Sequence, residues 1–452
     1  MAHKKTGNSL LRFILSLILV LAILAISTLT LVDRSPIDEQ DFYVETFENL
    51  DNLTFESSLG ESWYVGWAKT NMTPEKPVDL VGYAPRGEYE YVSDSSFIKA
   101  LSLSNGKSRV AWLNYEVLIV HPYLAKSIQN KIEESNLDID QVIFTATHTH
   151  SGMGGYMPGP LGSIAFGGFD EEIVELITEK SFEALQSAIS GEDTSKISFR
   201  KSDGSEWVSN RFVKDGPIDP FVRQLIFTKA DGKKATFLTY SAHSTCLTTG
   251  YMGLSGDYPF FLTQNLEEED FDFALFASGA VGSHKPNRPG NSLEDTKSYA
   301  LSVAEAVKLK INYFGTVNQP SLAYAGLNLL LREPHLRITD NLRLRPWLFE
   351  WLVGDTNPHF DLTRVGNTLL ISSSGEISGV FYEEWEKLAR ANGLNLIITS
   401  FNGGYMGYII PDELYDENYH EAREMNWYGP GNGTYYDNLI QMMIRKAGEL
   451  TP

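Results

Sequence analysis

A chain of 452 residues with 42% hydrophobic content can bury a large core, and at roughly 150 residues per domain it allows two or three domains or one large α/β unit. Its net charge of −21 excludes a nucleic-acid partner, because neutralising phosphates needs clustered Lys and Arg. The single cysteine, Cys246, excludes an intrachain disulfide and a Cys-based zinc site, which leaves His, Asp, Glu and Tyr as metal ligands.

Lys4, Lys5 and Arg12 precede an uncharged run from Phe13 to Val32 that Asp33 and Arg34 close. Twenty helical residues span about 30 Å, the thickness of a bilayer core. The run is longer than a signal-peptide core and lacks an A-x-A site, so residues 1–34 read as an uncleaved signal anchor, with a cleaved secretory peptide as the alternative. The basic flank places the N-terminus inside and the body outside the cytoplasm. Residues 35–60 are polar and acidic and read as a linker, and residues 61–452 as the body.

Strands are expected at 63–68, 109–114 and 142–146, with a turn-rich segment at 81–87 and a helix from Tyr123 to Glu133. Asp170 to Ile189 has helical periodicity and an acidic start, which suits the helix dipole. Residues 225–227 and 235–240 form a hairpin across Ala230-Asp231-Gly232. Further strands are expected at 273–276, 322–331, 367–371 and 395–399, and helices at 293–311, 383–392 and 436–450. Strands and helices interleave, so the class is α/β or mixed α+β: one large domain of β-sheets flanked by helices.

The stretch from Phe144 to Gly155, FTATHTHSGMGG, is an apolar strand running into a Gly-rich turn. His148 and His150 are two apart, and on extended backbone such residues face the same way. Two convergent imidazoles suit a zinc ion, or one ligand and one proton carrier; a pair of hydrogen-bonded surface histidines is the plainer reading. His243, Glu376 and Tyr408 each follow the end of a predicted strand, where α/β proteins collect their sites.

Several motifs in order resemble the neutral/alkaline (non-lysosomal) ceramidase family over roughly residues 60 to 440. They are TATHTHSG at 145–152, Asn210-Arg211, AHST at 242–245 followed by Ser255-Gly256-Asp257, Gly375-Glu376, GYI at 407–409 and Tyr428-Gly429-Pro430. Gly152 also separates the chain from hydrolases that use H-x-H-x-D. The resemblance implies a zinc amidohydrolase that splits ceramide into fatty acid and sphingosine. It implies His148, His243, Glu376 and Tyr408 as zinc ligands, with His150 and Arg211 at the reacting groups. A further catalytic tyrosine maps to Tyr419 with a one-residue slip; ungapped counting gives His420. The implied partners are a lipid amide at a membrane surface and the membrane itself, through the N-terminal helix.

One segment departs from the family. Where relatives carry G-D-V-S-P-N, with the nucleophilic serine, this chain reads Gly282-Ser283-His284-Lys285-Pro286-Asn287, with Lys285 at the serine position. Three readings follow. Water activated by zinc attacks and Lys285 neutralises the oxyanion; or Ser283 attacks with Lys285 as its base, both facing one way; or the chain acts on another amide or only binds an amphiphile. A two-residue insertion would instead place Ser283 on the serine position. Relatives also carry a C-terminal immunoglobulin-like domain, and this chain ends soon after its 436–450 helix.

Overall fold

The computed structural model describes residues 5–83 and 86–450. Lys4 of the basic flank and Ala84 and Pro85 of the turn-rich segment lie outside the described residues. A nine-stranded mixed sheet runs in the order Phe273–Ser278, Lys234–Tyr240, Phe221–Lys229, Asp193–Asp203, Trp63–Asn71, Phe97–Ser104, Arg109–Tyr115 and Gln141–Ala146, with Ile311–Val317 also paired to Asp193–Asp203. A five-stranded sheet runs Glu56–Leu59, Ser321–Asn328, His359–Val365, Thr368–Ser373 and Asn395–Ser400.

Alternation along the strands builds four layers. Val110 and Trp112, Ala235 and Phe237, and Phe273 and Leu275 face inward and meet Leu370 and Ile397 of the smaller sheet in one core. Their neighbours face the other way. Ala111 and Leu113 pack under the helices Pro122–Ser135 and Glu171–Ser190, and Leu238 and Phe276 under Asp257–Glu269 and Leu293–Leu309. Leu369, Ile371, Leu396 and Ile398 pack under Tyr382–Ala391 and Asn432–Glu449. The result is a mixed α/β domain of two face-to-face sheets with helices outside. The nine-stranded sheet also curls, so that its edge strands Gln141–Ala146 and Phe273–Ser278 touch. Ser244 Oγ and Ser278 Oγ both donate to the Thr147 carbonyl, at 2.6 and 2.9 Å, and stitch the two edges where the strands end.

Two expectations need correction. Residues 35–60 are not a free linker: Asp41–Asp51 is a helix with Thr46 and Leu50 buried, and Glu56–Leu59 pairs antiparallel with Ser321–Tyr324. Tyr43, Phe47 and Leu50 recur at helical spacing, and packing them against the Asn432–Glu449 helix outweighs the acidic composition. The apolar N-terminal run is helical only to Thr28. Leu29–Leu31 then becomes a strand paired with Leu342–Leu344. The segment Ser9–Thr28 is long and apolar enough to cross a bilayer and is unburied along its length.

A buried ion network ties the helical layer of the small sheet to the large sheet. Glu386 pairs with Arg223 at 2.7 Å and with Lys201. Burial pushes the Glu386 carboxyl up, but Arg223 and Lys201 outweigh it and hold it at about 2. Lys201 itself is drawn below its ordinary value, because its own burial exceeds what Glu386 returns. The carboxylate therefore adds stability that is full above the ordinary glutamate value of about 4.3 and is lost as pH falls towards 2. Glu386→Gln is expected to cost about 3 kcal/mol near neutral pH, since it leaves Arg223 buried beside a neutral partner. Thermal unfolding from pH 7 to pH 3 checks it: the gap between wild type and variant should narrow below pH 4.5, and a gap independent of pH would show that the carboxylate charge is not responsible.

Candidate metal centre and pocket

His148 follows the edge strand Gln141–Ala146, and His243 follows Lys234–Tyr240, which pairs with the opposite edge strand Phe273–Ser278. Curling brings these two strand ends together. His148 does not lie on extended backbone; its φ is 59°, in the left-handed region that His tolerates better than most residues. The convergence of His148 and His150 therefore comes from a turn held by tertiary contacts, not from strand alternation.

Each imidazole is clamped from behind. His148 Nδ1 lies 2.7 Å from the Leu118 carbonyl, His150 Nδ1 3.0 Å from the Gly82 carbonyl, and His243 Nδ1 3.4 Å from the Val281 carbonyl. A carbonyl only accepts, so Nδ1 carries the proton in all three rings and each Nε2 presents a lone pair. The three Nε2 atoms converge at 2.9, 3.0 and 3.4 Å from one another. Three lone pairs this close repel unless a cation lies between them. A tetrahedral zinc with bonds of about 2.0–2.1 Å to nitrogen has N–N edges of about 3.3 Å, so the spacing fits.

The carboxylate completes the argument. Glu376 and Tyr408 are register partners in a short parallel pair, Glu376–Ile377 with Tyr408–Ile409. Tyr405 donates to Glu376 Oε1 at 2.6 Å. Glu376 Oε2 is buried, takes no hydrogen bond and lies 3.4 Å from His148 Nε2. Burial raises the Glu376 carboxyl, but His148 and the Tyr405 and Tyr408 hydroxyls hold it at about 2. An ionised, half-satisfied buried carboxylate calls for positive charge at the convergence point, which a metal ion would supply. Burial, followed by the neighbouring His148, pushes His150 and His243 well below the ordinary imidazole value, so both rings present neutral lone pairs, the form that ligates a metal. His148, His150 and His243 thus form a site able to hold a metal ion.

Arg211 lies against this group. Its Nη2 donates to the Tyr408 hydroxyl at 3.1 Å and to the Gly282 carbonyl at 3.0 Å, and its Nε pairs with Glu421 at 3.1 Å. Tyr419 packs on Phe212 and donates to the Phe212 carbonyl at 3.0 Å, so it braces the segment carrying Arg211. His420, the ungapped counterpart, lines the pocket instead.

Ser283 and Lys285 do not face one way, contrary to the expectation for a nucleophile and its base. Lys285 is exposed between buried His284 and Pro286 on a short strand paired with Val208–Asn210. Ser283 is buried and is not among the residues lining the pocket; its Oγ lies 2.7 Å from His284 Nδ1, 2.7 Å from Ser378 Oγ and 3.1 Å from the Gly379 N–H. The Asp219 N–H donates to His284 Nε2, so the proton of neutral His284 is on Nδ1 and points at Ser283; His284 cannot serve as its base in this arrangement. Ser283 is a structural lock.

Residues outside the expected set also shape the site. Phe401 stacks on His148 at 4.2 Å, and Tyr83 packs on His150 at 4.9 Å. Arg86 donates to the His150 carbonyl. Gly82 has φ 95°, and a Cβ there would stand 2.6 Å from His150 Cα. The turn-rich 81–87 segment was a signal for this wall, although nothing in its sequence names the histidine it holds.

A pocket of about 440 Å³ opens beside the cluster. His148, His150, Glu376, Tyr405 and Tyr408 form its polar end, and Leu118, Met157, Leu161, Phe166, Leu352 and Trp427 are among its apolar walls. Among the described residues its lining contains no Ser, Thr, Cys or Lys.

Residues 63–298 match the family model described as neutral/alkaline non-lysosomal ceramidase, N-terminal. Among solved structures, the chain is similar to a neutral ceramidase from Pseudomonas aeruginosa, with TM-score 0.70 and 17% identity over 87% of this chain and 75% of that one. It is also similar to a ceramidase complexed with C2, with TM-score 0.75 and 16% identity over 87% and 76%. No curated protein matches.

Two substitutions separate structure from chemistry in the 283–285 turn. Ser283→Ala is expected to lower the unfolding midpoint through its lost hydrogen bonds, at about 1–3 kcal/mol. Lys285→Ala is expected to leave it unchanged. Thermal unfolding checks both; a Lys285→Ala protein destabilised as much as Ser283→Ala would overturn the exposed placement of this side chain.

Proposed function

Because the chain belongs to the neutral/alkaline non-lysosomal ceramidase family, we propose that it is a zinc-dependent amidohydrolase of ceramide or a related N-acyl lipid, releasing fatty acid and sphingoid base. The observation that carries this reading is an apolar pocket running into three converging histidines. An amidase for small polar amides has no use for walls of Leu118, Met157, Leu161 and Phe166.

We assign His148, His243, Glu376 and Tyr408 as the residues that hold zinc, and His150 as the group facing the substrate. His148 and His243 are almost fully buried, whereas His150, which also lines the pocket, is more open. Bound zinc supplies Lewis acidity for the amide carbonyl and lowers the pKa of water. With zinc held by the other four residues, His150 Nε2 would keep its lone pair for the proton that leaves the attacking water and would pass it to the departing amine. Arg211 holds the Tyr408 hydroxyl and places a permanent positive charge beside the developing oxyanion. Water is the nucleophile in this reading, because the pocket lining offers no hydroxyl other than tyrosine. The N-terminal helix is read as the anchor that keeps the body on the extracytoplasmic face.

Hydrolysis of an acyl-labelled ceramide by the detergent-solubilised full chain tests the proposal. Activity should vanish on metal stripping and return with zinc; a zinc-loaded protein without hydrolysis would leave an amphiphile-binding member of the family. His148→Ala and His243→Ala should lose zinc. His150→Ala should keep one zinc and lose activity by about 10²-fold or more. If His150→Ala also loses the metal, His150 is a ligand and the proton carrier must be sought elsewhere.

A further inference from the structure

The apolar N-terminal helix does not end in solvent; it is clasped by the helix Pro346–Val353. Arg345 Nε donates to the Ile26 carbonyl at 2.8 Å, the Arg345 N–H to the Thr28 carbonyl at 2.8 Å, and Trp347 Nε1 to the Ser27 carbonyl at 3.0 Å. These are the last carbonyls of the N-terminal helix, which lack partners within it, and a cation suits that end of the dipole. The pairing of Leu29–Leu31 with Leu342–Leu344 extends the clasp.

The same short helix has two faces. Phe349 and Val353 are buried, and Leu352 and Val353 line the pocket. Trp347 and Trp351, four apart on the opposite side, are 52% and 61% exposed. Leu31, Ile338 and Leu342 continue the exposed apolar surface around the clasp. Gly159–Ala165 packs against Pro346–Val353; it exposes Ile164 while Leu161, Ile164 and Ala165 line the pocket. Two helices that help wall the pocket therefore also show large apolar side chains to the outside.

We propose that the Trp347/Trp351 face and Ile164 dock into the interfacial layer of the bilayer that holds the N-terminal helix, so that the pocket opens directly onto the membrane. This rests on reading that helix as membrane-spanning. The occupant is fixed by continuity. The clasp sets Trp347 at the level where the apolar span of Ser9–Thr28 ends, and Trp is the side chain that settles at the boundary between hydrocarbon and headgroups. A net charge of −21 argues against attraction to anionic lipids, so docking is apolar and needs no acidic headgroup. A lipid amide then enters sideways without leaving the membrane for water.

Site-directed fluorescence on the full chain tests this. Cys246 is fully buried, so a cysteine introduced at the surface takes an environment-sensitive thiol label. Four variants are compared in phosphatidylcholine vesicles with and without acyl-chain-brominated lipid: Trp351→Cys, Ile164→Cys, Leu19→Cys in the span, and Lys233→Cys in the hairpin at the opposite end of the strand that leads to His243. Labels at 351, 164 and 19 should lose most of their fluorescence to the brominated lipid, and the label at 233 should lose none. Quenching at 19 without quenching at 351 and 164 would keep the membrane helix and overturn the docking. Blue-shifted but unquenched emission at 351 would show a second copy of the chain covering the face, which also overturns it. No quenching at 19 would remove the membrane-helix reading and the proposal with it.

Discussion

Three backbone carbonyls decide what this protein can do. By accepting hydrogen bonds from Nδ1–H of His148, His150 and His243, the carbonyls of Leu118, Gly82 and Val281 leave three Nε2 lone pairs pointing at one another. That arrangement is costly on its own and favourable around a cation. The rest of the molecule can be understood as what holds it. The left-handed backbone at His148, the glycine at position 82 and the rings of Phe401 and Tyr83 all keep the imidazoles from rotating away.

The two sheets divide the labour. The large sheet brings His148 and His243 together by curling until its edges meet, with the hydroxyls of Ser244 and Ser278 sharing the Thr147 carbonyl. The small sheet supplies the negative charge, since Glu376 follows Thr368–Ser373 and Tyr408 follows Asn395–Ser400, two strands that run parallel. Parallel strands end on the same side, so both loops arrive at the same place and pair there. Any slip between the sheets would separate the carboxylate from the imidazoles, and the Glu386–Arg223–Lys201 network lies across that interface.

Much of the site was legible in the sequence, because strand ends can be read from local pattern. His148, His243, Glu376 and Tyr408 each stood just past an apolar run, and the motifs resembled one family in order. The geometry that joins them was not legible. Curling of a nine-stranded sheet is a property of pairings more than a hundred residues apart, and no short window of sequence contains it. The same limit explains the readings that failed. Ser283 and Lys285 were placed on one face by counting, but the turn between Gly282 and His284 sends one inward and the other to solvent. The segment 35–60 reads as a linker from its charge, although Tyr43, Phe47 and Leu50 carry a helical stripe. The helix Pro346–Val353 carries no periodic signal because it is apolar on nearly every side.

The charge balance of the molecule bears on its chemistry as well. An acidic surface gives no steering to an uncharged lipid amide, so selection must come from the pocket walls, where burial of apolar surface contributes about 25 cal/mol per Å². Those walls act on the polar end in turn. Leu118 is an example: its carbonyl orients His148 while the same residue lines the pocket. An acyl chain filling the pocket would displace water from Glu376 and the histidines, and charges strengthen one another as the surrounding dielectric falls. On the proposed function, substrate binding and the electrostatics of the histidine cluster are coupled through the same few residues, and a pocket made more polar would weaken both at once.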